Sequence, residues 1–156
     1  MKNTERFAPL AMSLALLCGT TAARAQPAAT DRYPAEKWMP FGLYPAGAEV
    51  APLHGAPDKP GLFVVRIKYP ANYRLPAHTH NIDFVVTVLS GTYYSGTGDR
   101  SGAGELKALG PGATVIEPAG VAHFAETRGE PVIVQAVGVS PATTSFVNPA
   151  DDPRKK

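Results

Sequence analysis

His78 and His80 stand one residue apart in the segment "PAHTHNIDFVVTVLSG", just ahead of a β-branched run. Side chains of a strand alternate between faces, so two residues of this spacing project to the same side and their imidazoles can converge on one ion. A third histidine, His123, closes the segment "GATVIEPAGVAHF", where a Pro-x-Gly turn delivers it onto a returning strand. The chain holds 4 histidines, and three of them fall in these two segments. Neutral imidazoles suit a first-row transition metal, so the pattern predicts one divalent ion among Fe, Mn, Zn, Ni and Cu, a choice that ligand type alone does not make. The competing reading is structural, with histidines that hydrogen-bond inside a barrel. His54, in a proline-rich stretch, reads as a surface residue.

These side chains need short, well-separated strands to hold them. The 16 prolines and 15 glycines are spread along the chain and punctuate short apolar runs, leaving no room for long helices. The spacing predicts strands over Leu62 to Tyr69, Phe84 to Leu89, Thr92 to Ser95, Glu105 to Leu109, Thr114 to Glu117, Val132 to Val139 and Thr143 to Val147. Many short strands so spaced predict an all-β sandwich or barrel. The stretch "SGTGDRSGAGE" between the two histidine segments has the composition of a mobile turn region.

Lys2 and Arg6 precede the apolar run "LAMSLALLCGTTAA", which is short for a bilayer span and ends in Ala23-Arg24-Ala25. Residues 1–25 therefore read as a secretory signal, with Gln26 as the new N-terminus and a periplasmic or secreted product that does not insert in the membrane. Lipidation at Cys18 would require a small residue before it, and Leu17 stands there. The lone cysteine leaves with the signal, so neither a disulfide nor a thiolate ligand is expected. Residues 26–156 carry 12 basic and 12 acidic side chains, a balance that argues against a nucleic-acid partner. Residues 26–60 form an Ala- and Pro-rich arm whose Trp38, Phe41 and Tyr44 imply packing on a barrel or a second subunit. A barrel is expected over residues 61–148 and a solvated tail over residues 149–156.

The two histidine segments resemble the paired motifs of the cupin superfamily, G-x5-H-x-H-x3-E-x6-G and G-x5-P-x-G-x2-H-x3-N. His78, His80, Gly91, Gly112, Pro118, Gly120 and His123 keep their places at unbroken spacing. The resemblance covers roughly residues 62–139 and implies a double-sheet jelly-roll barrel, a metal centre and, commonly, a homodimer. Three positions depart from the motifs. The leading glycine is Asn72, which tolerates a left-handed backbone, and the closing asparagine is Thr127. The glutamate ligand position is Phe84, so the usual carboxylate is missing there. The neighbouring Asp83 could replace it only if a bulge near Asn81-Ile82 turned it inward, whereas strict alternation points it outward as a strand-end or capping acid. The same alternation places Phe84, Val86 and Val88 on the histidine side as an apolar pocket wall. Gln135 either faces solvent or supplies a polar group to that pocket, and Tyr93, Tyr94 and Arg66 have no face fixed by the pattern.

No nucleophile triad and no close acid pair is visible, which confines any chemistry to the metal. The resemblance implies a small metalloenzyme, with dioxygenase-type oxidoreductase as the analogy, acting on a small-molecule substrate. The alternative is a non-catalytic exported module that binds a small ligand or sequesters metal.

Overall fold

The computed structural model describes residues 36–99 and 106–155. The expected signal segment, the first ten residues of the arm (26–35), residues 100–105 and Lys156 lie outside the described residues. Eleven strands run in the order β1 (Met39–Pro40), β2 (Glu49–His54), β3 (Gly61–Tyr69), β4 (Arg74–His80), β5 (Phe84–Ser90), β6 (Tyr93–Thr97), β7 (Lys107–Leu109), β8 (Thr114–Glu117), β9 (His123–Glu126), β10 (Val132–Ser140) and β11 (Thr144–Phe146). Two short 3-10 turns, Pro149–Asp151 and Pro153–Lys155, follow β11 among the described residues. The strands form two antiparallel sheets, β1-β2-β3-β10-β5-β8 and β11-β4-β9-β6-β7. Together they make an all-β barrel, as the strand spacing predicts, in the double-sheet jelly-roll form that the cupin resemblance implies.

Alternation builds the interior. On β3 and β10, Phe63, Val65, Ile67 and Tyr69 face Val132, Val134 and Ala136 in a common buried cluster, and Val86 and Val88 of β5 extend it. The opposite residues of the same strands, Leu62 and Val139 among them, lie on the outer surface. β2 was not legible as a strand, because Pro52 and its Ala-rich surroundings hide the alternation; it pairs with β3 from Glu49↔Lys68 to His54↔Val64. The barrel sheet therefore begins upstream of residue 61. The C-terminal segment is likewise less solvated than a free tail, since Asp152 is buried and Arg154 donates to Asp152 and to the Thr144 carbonyl.

Two local features aim the histidines. β4 pairs with β9 at Leu75↔Ala125 and next at His78↔His123, so one extra residue is inserted on β4 around Pro76-Ala77. This bulge resets the strand's parity, and Leu75, His78 and His80 all point inward. The bulge lies upstream of the histidines and not at Asn81-Ile82, where inversion of Asp83 would have needed it. Asn72 adopts φ 58°, filling the left-handed position of the motif's leading glycine. Thr127 fixes that loop by accepting a hydrogen bond from the Tyr73 amide at 2.9 Å and donating to the Pro70 carbonyl at 2.5 Å.

Candidate metal centre

His78 and His80 descend from β4 and His123 from β9, and all three are at least 95% buried. Their ligand nitrogens lie within 4.8 Å of one another. Each ring is held from behind. The Nδ1 of His78 faces the Pro76 carbonyl at 2.8 Å, and that of His123 faces the Val121 carbonyl at 2.9 Å. His80 Nδ1 meets the Thr143 carbonyl at 3.3 Å and the Thr144 hydroxyl at 3.1 Å. Protons on Nδ1 that donate to these oxygens leave every Nε2 with a lone pair for the centre, the arrangement in which metal-binding histidines are normally oriented.

Electrostatics favours neutral rings at two of the three positions. Burial, together with the neighbouring His123 and His80, holds His78 well below the ordinary imidazole range. Burial lowers His80 to about 4 despite the attraction of Glu117. Burial also opposes a charge on His123, but Glu117, 3.2 Å from its Nε2, outweighs that penalty and raises it. Glu117 is itself buried, and it stands 4.0 Å from His80 Nε2.

His123 Nε2 is the one buried side-chain polar atom, among the described residues, that makes no hydrogen bond. The nearest Glu117 oxygen, at 3.2 Å, makes no aligned hydrogen bond with it. Three oriented imidazoles, one of them with an orphaned ring nitrogen, form a donor set that fits a divalent transition metal, and the Glu117 carboxylate stands beside them. A cavity of about 20 Å³ adjoins them, bounded by Tyr44, Tyr69, Phe84, Val86 and Tyr93. By this measure a water needs about 10–15 Å³, so the space suits one or two water-sized occupants.

The structure brings His78, His80, Phe84 and Val86 to this cavity, with the Phe84 ring 4.3 Å from that of His80, and sets His123 beside the other two imidazoles. Val88 faces the same way but lies deeper, within the apolar core. Gln135 does not reach the cavity. It occupies the outward-facing set of β10 positions and pairs across the sheet with Arg66, whose Nε lies 3.4 Å from its amide oxygen. Asp83 is not at the centre either; its Oδ1 accepts the Ala119 amide at 2.7 Å and so caps the turn between β8 and β9. Tyr94 points outward beneath Arg128, while Tyr93 is buried beside the cavity.

Glu117 and Tyr44 were missed by sequence reasoning. For Glu117 a signal was present, because on β8 it shares parity with Val115, which packs against the core, while Ile116 between them is exposed. Tyr44 carries no such signal, since it lies in the irregular segment between β1 and β2.

Comparison with known proteins agrees with this architecture. The cupin family model matches residues 56–151. A germin-like protein 4-1 from Oryza sativa subsp. japonica is 37% identical over 95 residues, covering 57% of this chain and 35% of that protein, so the match spans about a third of the relative's length. Among solved structures, the polyketide cyclase RemF from Streptomyces resistomycificus superposes with a TM-score of 0.59 at 21% identity, covering 80% of this chain and 82% of that one. The DMSP lyase DddQ from Ruegeria pomeroyi DSS-3 also gives a TM-score of 0.59, at 17% identity, covering 71% of this chain and 60% of that one. At such identities these structures share the fold with this chain. With the two histidine motifs in place, the jelly roll around them and a family match across most of the barrel, the chain belongs to the cupin family.

Proposed function

We propose that this chain is an exported metal-dependent cupin in which one divalent transition-metal ion, held by His78, His80 and His123, acts on a small-molecule substrate, with a dioxygenase-type oxidoreductase as the reaction class. The observation that carries this reading is the set of three buried imidazoles, each tied at Nδ1 to a backbone carbonyl with Nε2 left for the centre. A bound ion supplies Lewis acidity and open coordination positions. Around it, Phe84, Val86 and Val134 exclude bulk water. Burial, with Glu117 and neighbouring phenols adding to it, pushes the Tyr44 and Tyr93 hydroxyls far above their ordinary range, so these residues of the cavity wall stay protonated. That two structural neighbours are described as a cyclase and a lyase supports a catalytic use of such a barrel.

The small cavity favours a second reading, a non-catalytic module that binds a small ligand or sequesters metal. Elemental analysis of protein purified without a histidine tag tests the shared part: close to one transition metal per chain is expected, lost in His78→Ala and His123→Ala. Unchanged metal content in both variants sinks the site. Titration of the Co(II) form with azide separates the two readings, since an enzyme with an open position should show a spectral change and a closed sequestering site should not. Intact mass of exported material should begin at Gln26, and light scattering checks the homodimer expected of the family.

A further inference from the structure

The family motif takes its carboxylate from the position occupied here by Phe84. In the sheet, Phe84 of β5 lies directly opposite Glu117 of β8. Directly opposed residues of an antiparallel pair present their side chains on the same face, so whatever faces inward at 84 does so at 117 as well. Glu117 is 6% exposed, and its ion-pair contacts among the described residues are with two imidazoles, His123 at 3.2 Å and His80 at 4.0 Å. No Lys or Arg neutralises it among those residues, and a buried carboxylate without a cation is costly. Two donors bound side by side to one ion at about 2.1 Å each stand about 3 Å apart, close to the unaligned contact between Glu117 and the orphaned His123 Nε2.

We propose that Glu117 is the fourth protein ligand of the metal, its carboxylate transposed one strand sideways, from β5 to the register partner on β8. Phe84 then fills the place of the family's glutamate as a packing group against His80. The transposition keeps a negative ligand in the sphere, so the bound ion carries less net charge than three neutral imidazoles alone would leave it. This inference rests on the metal reading of the three histidines, and the experiment separates the two.

Full-length protein is loaded with Co(II) as wild type, Glu117→Leu, the exchange Phe84→Glu/Glu117→Phe, and His80→Ala. Visible spectra and chelator competition are read for each, with the thermal midpoint of the metal-free forms as a check on folding. Glu117→Leu, which substitutes an apolar side chain in a buried place, should fold, bind Co(II) about 100-fold more weakly and show a changed ligand-field spectrum, because a ligand contributes at least as much as the outer-shell partners whose loss costs about 10–100-fold. The exchange variant should recover affinity, since the carboxylate returns to the same face. A folded Glu117→Leu with the wild-type Co(II) spectrum overturns the proposal even if affinity falls. A wild type that binds no better than His80→Ala overturns the metal reading itself, and the ligand assignment falls with it.

Discussion

At the scale of single residues the site has two imidazoles, His78 and His80, that burial keeps neutral, and this has a consequence for the metal-free protein. His80 titrates near its ordinary 6.5 when unfolded and at about 4 when folded, so the folded state resists taking up a proton that the unfolded chain accepts readily. A folded value below the unfolded one gives stability that is full above pH 6.5 and is lost as pH falls toward 4, on the order of 3 kcal/mol for this residue. His78 acts in the same direction. His123 acts oppositely, because its raised value stabilises the folded form at low pH and this contribution is lost as pH rises through it. With two histidines against one, the metal-free thermal midpoint should drop between pH 7 and pH 4.5, and His80→Asn should flatten that drop. A His80→Asn profile parallel to the wild type would show that His80 does not titrate in this way.

At the scale of elements, strand parity explains both what the sequence revealed and what it concealed. β3, β5, β8 and β10 alternate cleanly and were legible within one residue at each end, as was the inward course of Phe84 and Val86. The histidine pair on β4 was placed on one face by spacing alone. Spacing could not show the bulge at Pro76-Ala77, a matter of pairing with β9, nor the register that sets Glu117 opposite Phe84, which depends on contacts between segments about thirty residues apart. Gln135 shows the same limit, since a polar residue in an apolar run suited either solvent or the pocket, and β10 turns it outward to Arg66. Asp83 belongs to this scale too. Its carboxylate joins the start of β5 to the turn carrying His123, where the Gly120 amide also donates to the His80 carbonyl at 2.8 Å. Asp83→Asn preserves an acceptor oxygen and Asp83→Ala removes it. Both should keep one metal per chain, and only the alanine variant should lose stability, by about 1 kcal/mol at this exposed position. Metal loss in Asp83→Asn as complete as in His80→Ala would make Asp83 a ligand after all.

At the scale of the whole molecule, the barrel's interior is completed by residues that precede its main strands. The segment between β1 and β2 sends Tyr44 into the cavity wall, with its ring centroid 5.5 Å from that of His78, 6.4 Å from Tyr69 and 4.6 Å from Phe41. Just ahead of β1, Glu36 pairs with Arg66 on the outside of β3 and Trp38 lies under Lys68, so contacts on the outer face anchor the chain entering the segment from which Tyr44 reaches inward. Tyr44 thus limits the space beside the candidate metal centre. Truncating a buried aromatic leaves a hole that the structure only partly closes, at a cost of about 3–5 kcal/mol. Tyr44→Ala should lower the thermal midpoint and, in the Co(II) form, speed azide binding by widening a cavity that has room for only one or two water-sized molecules. Tyr44→Phe keeps the ring and should leave the midpoint and the azide rate near wild type, showing that the ring's bulk, not its hydroxyl, closes the cavity. Equal azide rates in wild type and a folded Tyr44→Ala would mean that ligands reach the metal by another route and that the arm contributes stability without controlling access.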